Sequence, residues 1–214
     1  MKPIVCYVTD RKALGAADPV SSLLAKIRGA LTAGVDWVQL RERDMPAGEL
    51  LTLASAAIGG PRTQARVLVN DRLDVALAAG AAGVHLGRSS VPAREAVRWL
   101  EKCNAPAGLL IGVSCHHREE AREAEDAGAS YLYFGPVFET PSKKSYGPPQ
   151  GTQRLAEVCS AVRIPVIAIG GVNEQNAAEC VRAGAAGIAA IRMFQELRDA
   201  ETLAQTVARL HADR

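Results

Sequence analysis

The chain is poor in aromatic residues, which fill 4% of its 214 positions. Its interior must therefore be packed mainly from Ala, Val, Ile and Leu, a mix that suits helices laid closely on buried parallel strands. Long apolar runs are also missing. No stretch approaches the roughly 20 apolar residues of a spanning helix, so no membrane partner is expected. The N-terminal MKPIVCYVTDRKALG carries an apolar run of about six residues before charge appears, too short for the core of a secretory signal. Neither sign of charge is in excess, the formal balance being +2, so nothing points to nucleic acid or an anionic surface as partner. The five cysteines are odd in number and lack CxxC spacing. That excludes a disulfide scaffold or a zinc site and predicts a reduced, cytoplasmic location. Four of them read as small buried hydrophobes, while Cys115 stands apart because two histidines follow it. GxGxxG and GxxxxGK[ST] are both absent, which removes the fingerprints of the dinucleotide and P-loop folds.

What is present is alternation. Short β-branched runs occur near Ile4–Thr9, Trp37–Arg41, Val67–Asn70, Gly83–Leu86, Leu109–Ser114, Tyr131–Gly135, Val166–Ile169 and Gly187–Ile191. Ala-rich amphipathic segments follow them near Pro19–Ala33, Ala47–Ile58, Leu73–Ala79, Pro92–Glu101, Glu119–Ala127, Thr152–Ala161, Glu174–Ala183 and Ala200–His211. Eight strand–helix pairs predict an α/β chain folded as one (β/α)₈ barrel domain over residues 1–214, and a doubly wound open sheet would have fewer strands. Gly34, Gly80, Gly128 and Gly184 each stand between a helix and the next strand, where a left-handed residue ends the helix.

In a (β/α)₈ barrel the active site is built at the C-terminal ends of the strands. Strand two ends in Arg41-Glu42-Arg43-Asp44 and strand three in Asn70-Asp71-Arg72. Strand four ends in His85-Leu86-Gly87-Arg88-Ser89-Ser90 and strand five in Ser114-Cys115-His116-His117. Strand six opens into Phe138-Glu139-Thr140-Pro141-Ser142-Lys143-Lys144, strand seven into Gly170-Gly171-Val172-Asn173, and strand eight into Arg192. Gly170 and Gly171, with the turn after Ala190-Ile191, predict a backbone phosphate site of the kind this fold carries after strands seven and eight. The bland alternative is a tight turn capped by Asn173. Arg41 closes an apolar strand, so its charge requires a partner, either Glu42 or a ligand phosphate.

Taken in order, VQLRER, LVNDRLDVAL, GVHLGRSS, IGVSCHH, YLYFGPVFETPSKK, PVIAIGGV and AGAAGIAAI span nearly the whole chain. They resemble the thiamine phosphate synthase and thiazole tautomerase family of (β/α)₈ barrels. The resemblance implies that Arg41 and Arg43 bind pyrophosphate, that Asn70 and Asp71 contact a pyrimidine and a metal, and that Ser114 binds an anion. It further implies that Thr140, Ser142 and Lys143 lie on a loop that closes over substrate, and that Gly171 meets a phosphate. His116 matches the acid/base of the tautomerases, and histidine is suited to moving a proton near neutral pH. One departure stands out. Synthases usually continue HLGQxD after strand four, supplying a second metal carboxylate, whereas this chain has Arg88 and Ser90.

That departure, with Glu139 where synthases commonly have Pro, makes a thiazole tautomerase the leading expectation. Such an enzyme works without a cofactor, with Ser114, His116 and Lys143 as catalytic residues and the phosphate on Gly171, Ala190 and Ile191. The alternative is a synthase that couples an aminopyrimidine pyrophosphate to a thiazole phosphate, with Mg²⁺ on Asp71. The third is a non-catalytic barrel that keeps the phosphate site. All three take a phosphorylated thiazole as partner, and the resemblance allows a homo-oligomer. His85 is expected to find a structural partner, and Arg192 either to touch phosphate or to face outward.

Overall fold

The computed structural model describes residues 2–61, 63–140, 148–197 and 199–212. Eight parallel strands close into a barrel in chain order: β1 (Ile4–Val8), β2 (Trp37–Leu40), β3 (Arg66–Asn70), β4 (Gly83–Leu86), β5 (Leu110–Cys115), β6 (Tyr131–Phe134), β7 (Val166–Ile169) and β8 (Gly187–Ala190). The ring shuts where β8 pairs with β1, Gly187 opposite Ile4 and Ala190 opposite Tyr7. Around it run α1 (Pro19–Ala33), α2 (Ala47–Ile58), α3 (Leu73–Ala79), α4 (Ala93–Lys102), α5 (Arg118–Asp126), α6 (Gly151–Ala161), α7 (Ala177–Arg182), α8 (Arg192–Glu196) and α9 (Ala200–Ala212). The (β/α)₈ barrel expected from the alternation is the fold observed.

Helix boundaries follow local chemistry. The Asp18 carboxylate accepts from Ser21 N–H at 3.1 Å and Pro19 opens α1, an N-cap with the fixed φ of proline behind it. Gly34, Gly80, Gly128 and Gly184 all take positive φ, as the spacing predicts. Helix α7 begins at Ala177, three residues later than the periodicity indicates. Asn173 Oδ1 accepts from Gln175 and Asn176 N–H, and Asn176 Oδ1 accepts from Asn173 N–H. These Asx turns hold the segment out of the helix. Two short elements escape periodicity altogether, a 3-10 turn at Arg11–Leu14 and helix α8.

Two apolar layers result. Outward strand residues such as Val5, Tyr7, Val38, Leu40, Val69, Val84, Leu132 and Ala168 pack under the helices, the aliphatic layer that the composition predicts. The barrel interior corrects that picture. It holds Cys6, Val8, Trp37, Leu68, Tyr131, Tyr133, Ile167 and Ala189, so three of the nine aromatics fill its axis. Trp37 meets Tyr131 edge-on at 4.8 Å. Gly112 makes that possible, because a Cβ there would overlap the Tyr131 ring. Replacing Gly112 with Ala should cost about 1–3 kcal/mol from overpacking, read by urea unfolding.

At the opposite end of the barrel from the strand C-termini, Asp36 fastens the C-terminal helix. Its carboxylate accepts from Val5 N–H (2.8 Å), Lys2 Nζ (3.0 Å) and His211 Nε2 (2.8 Å). Burial alone would raise its pKa, but the bonds from Val5, His211 and Lys2 outweigh it and hold the group below 3.8. A depressed carboxylate stabilises the fold above its unfolded pKa and loses that contribution as pH falls through the folded value. The Asp36→Asn variant should therefore be less stable by about 1–2 kcal/mol at neutral pH. Thermal unfolding across pH should show this gap closing below about pH 4.

Candidate active site at the mouth of the barrel

Strand alternation sends one residue in two inward, and near the C-terminal ends those inward residues are polar. Gln39, Asn70, His85 and Ser114 stand on β2, β3, β4 and β5 in turn. Asn70 lies opposite His85 in the β3–β4 register. Gln39 Nε2 donates to Asn70 Oδ1 at 3.0 Å, and His85 Nε2 lies 2.9 Å from Ser114 Oγ. His85 Nδ1 lies 3.2 Å from the Tyr131 hydroxyl, and its ring is 4.2 Å from that of Tyr133. The four side chains form a shelf across half the barrel, just beneath its mouth. Burial first, and then the charge of Arg41, push the His85 pKa down to about 3, so the imidazole is neutral. Gln39 is buried, yet its Oε1 has no hydrogen-bond partner among the described residues. Sequence reading passed over Gln39. Its signal was a lone polar residue inside the apolar strand Trp37–Leu40.

The loop after β2 is clamped from β1. Thr9 is fully buried, donates to Glu42 Oε1 at 2.6 Å and accepts from Arg41 N–H at 2.9 Å. Arg11 reaches Glu42 at 2.9 Å and grips Asp44 with both terminal nitrogens at 2.9 and 2.8 Å. Glu42 was a candidate partner for Arg41, but its carboxylate serves Thr9 and Arg11 instead. Arg41 is half-buried and Arg43 is exposed. Truncating one member of a buried ion pair strands the other's charge. Glu42→Ala should thus destabilise the protein by about 3 kcal/mol, seen as a lower urea midpoint with unchanged slope.

Beyond β3, Asp71 adopts φ +67° with its N–H on His85 O at 2.8 Å. Few non-glycine residues accept that conformation, and Asp is one of the better tolerated. Its exposed carboxylate makes no hydrogen bond or salt bridge among the described residues. Ser90 turns its hydroxyl back onto Gly87 N–H at 2.8 Å, and Arg88 is exposed. Among the described residues no group of three or more His, Cys, Asp or Glu is placed to hold a metal ion. Mg²⁺ is commonly held by one or two carboxylates together with substrate phosphates, and Asp71 fits that pattern.

On β5 the outcome is mixed. Cys115 is fully buried among the outer aliphatics, and burial, then the charges of Glu120 and Cys159, push its thiol up to about 12. It is packing, not chemistry. The fold also gathers cysteines that look scattered in sequence, since Cys159 acts electrostatically on both Cys115 and Cys180. The His116 ring is tied through Nδ1 to Gly135 O at 2.5 Å, and the His116 backbone N–H donates to Glu120 Oε2 at 2.6 Å. Ser142 and Lys143 lie outside the described residues. Thr140, at the root of their loop, meets Arg192 Nη2 at 3.4 Å.

After β7, Gly170 and Gly171 have φ +95° and +69°. A Cβ on Gly170 would meet Pro136, and one on Gly171 would meet Phe138 and Glu139. The tight turn is therefore real, but it does not use up the donors, because Gly171 N–H finds no acceptor among the described residues. Ala190 is the buried end of β8 and Ile191 is the N-cap of α8. The unpaired N–H groups of that turn belong to the first residues of α8, Arg192 and Met193, one step beyond the Ala190 and Ile191 indicated by sequence. A separate cleft between the 3-10 turn, α1 and α8, lined by Leu14, Lys26, Arg192, Gln195 and others, flanks the mouth. It includes no residue of the polar shelf.

An eight-stranded barrel with a charged mouth, backbone donors after β7 and at the start of α8 that have no acceptor among the described residues, and a neutral polar shelf below defines an enzyme built for a phosphorylated small molecule. Residues 5–194 match the family model described as thiamine monophosphate synthase, and the chain belongs to that family of transferases. It is 43% identical over 189 residues to the thiamine-phosphate synthase of Roseiflexus sp. (strain RS-1), covering 88% of this chain and 76% of that one. To the thiamine-phosphate synthase of Roseiflexus castenholzii it is 40% identical over 214 residues, covering 99% and 89%. The solved thiamine phosphate pyrophosphorylase from Pyrococcus furiosus superposes with a TM-score of 0.82 at 32% identity, covering 97% of this chain and 95% of that chain. These names overturn the tautomerase expectation, and the acid/base role of His116 that rested on it is withdrawn. Two local differences, Ser90 and Glu139, had outweighed the agreement of the whole chain. No helix among the described residues is long and apolar enough to cross a membrane.

Proposed function

We propose that the chain, acting as one barrel domain over residues 1–214, is a thiamine-phosphate synthase. It would couple an aminopyrimidine pyrophosphate to a thiazole phosphate and release pyrophosphate. The observation that carries this reading is the Gln39–Asn70 pair beneath Arg41 and beside Asp71. Gln39 Oε1 is a buried acceptor in want of a donor, and an amino group on a pyrimidine is such a donor. Leaving it unmet costs about 1–3 kcal/mol, a penalty that a thiazole alone has no amino group to relieve.

The reaction replaces the bond between pyrimidine carbon and pyrophosphate oxygen with one between that carbon and the thiazole. Gln39 and Asn70 hold the pyrimidine edge. Arg41 and Arg43, joined by Lys143 as the family resemblance implies, bind the pyrophosphate as its charge grows, the kind of electrostatic stabilisation that lowers such barriers most. Gly171 N–H and the first turn of α8 take the thiazole phosphate, which fixes the nucleophile against the carbon it attacks. For Thr140 and Ser142 the family resemblance implies contact with the bound substrates. Asp71 would hold Mg²⁺, which when bound neutralises charge on the departing pyrophosphate. The free thiols, Cys103 among them exposed, support a reducing, cytoplasmic setting.

Supplied with both substrates, the enzyme should release pyrophosphate in a Mg²⁺-dependent manner, and a chelator should stop it. Absence of release at high enzyme concentration would sink the reading. Ser90 is where the family usually offers a second carboxylate, so Ser90→Asp should lower the Mg²⁺ concentration for half-maximal rate by about tenfold. Steady-state rates over a Mg²⁺ titration measure this.

A further inference from the structure

The buried chain from Tyr131 through His85 to Ser114 has a polarity that its end members determine. Tyr131 is 1% exposed, with its ring against Trp37 and its hydroxyl close over Gly112. His85 Nδ1, at 3.2 Å, is the one hydrogen-bond partner of that hydroxyl among the described residues. A buried O–H with nowhere to donate keeps its whole desolvation penalty, so Tyr131 donates to Nδ1. The Nδ1 atom must then present its lone pair. An imidazole whose Nδ1 presents a lone pair carries its single hydrogen on the other nitrogen. That nitrogen, Nε2, lies 2.9 Å from Ser114 Oγ and donates to it. Ser114, which is half-buried at the end of β5, accepts from below and keeps its own hydroxyl hydrogen for the mouth. In the opposite polarity Ser114 would donate downward, and the Tyr131 hydrogen would face Trp37 and Gly112 with no acceptor.

We propose that Tyr131 and His85 are positioning residues that fix Ser114 as a hydrogen-bond donor to a pyrophosphate oxygen of the substrate. The proposal rests on the synthase reading for the identity of that anion. An oxygen of pyrophosphate has only lone pairs to offer, so it rewards a hydroxyl that is already committed to donating. A hydroxyl free to flip would have to reorient as the leaving group gathers charge. One held from below does not, which is the preorganisation that favours a transition state over a ground state. The shelf is also on the appropriate side, sharing β2 to β5 with Arg41 and Asp71, whereas the thiazole phosphate donors stand on the β7 and α8 side.

The test begins with ¹⁵N-histidine-labelled full-length protein and two-bond proton–nitrogen correlations of the four histidine rings. His85, identified by the signal missing from His85→Gln, should be protonated at Nε2 and bare at Nδ1. A ring protonated at Nδ1, or at both nitrogens, overturns the proposal. Calorimetry with inorganic pyrophosphate and Mg²⁺ then reads the consequence. Ser114→Ala and Tyr131→Phe should each weaken pyrophosphate binding about tenfold, and Ser114→Thr, which keeps the hydroxyl, should restore it. The double variant should bind no more weakly than Ser114→Ala, because both changes act through one bond. A purely structural role would instead lower the Tm of Tyr131→Phe and leave its pyrophosphate affinity at the wild-type value. Should Tyr131→Phe fail to fold, the wild-type ring spectrum and Ser114→Ala still decide. If the wild type binds pyrophosphate as expected but couples no substrates, the synthase reading falls and the relay stands.

Discussion

Closing eight parallel strands creates an interior that water does not reach, so a polar atom pointing inward depends on a partner from another strand. The rest of the molecule depends on that constraint. At the lower levels of the barrel it is met largely with apolar surface: Trp37 and the Tyr131 ring fill the axis, and Gly112 leaves room for that ring. Near the top, Gln39, Asn70, His85 and Ser114 satisfy one another across four strands. A floor of neutral, mutually bonded groups is what permits a charged ligand to sit directly above a hydrophobic core. Among these four residues Gln39 Oε1 is left without a partner among the described residues.

Charge at the mouth is kept in order by a second constraint. Arg11 and Glu42, both drawn in from the solvent, tie the loop after β1 to the loop after β2, and Thr9 passes that tie to the Arg41 backbone. Arginine suits this task because its planar fork holds Glu42 and Asp44 at once. Asp71 is presented by a left-handed backbone, a conformation that a barrel tolerates at a strand end more readily than within a strand. The mouth therefore offers cations and one carboxylate side by side, an arrangement that suits an anionic substrate accompanied by a divalent metal.

Much of this was legible beforehand. Strand and helix order, the turn glycines, and the residues after each strand follow from patterns within ten or so positions, and the structure reproduces them nearly everywhere. Helix α7 and the two shortest elements departed because Asx turns and four- or five-residue helices are decided by single side chains, not by periodicity. The choice of activity failed for a different reason. Ser90 and Glu139 are individual substitutions at a site where phosphate oxygens themselves serve as metal ligands, so losing one carboxylate does not dictate losing the reaction. Identity over the whole chain carried more information than either position.

By itself, then, the sequence determined the barrel and the roster of polar groups at the C-terminal ends of its strands, because both are encoded in local spacing. Tertiary structure decided who meets whom. Gln39 and Asn70 are 31 residues apart, and His85 and Tyr131 are 46 apart. Arg11 takes Glu42 from 31 residues away. Such pairings depend on strand register and on which face of the pleat a residue occupies, and barrel closure sets both at once.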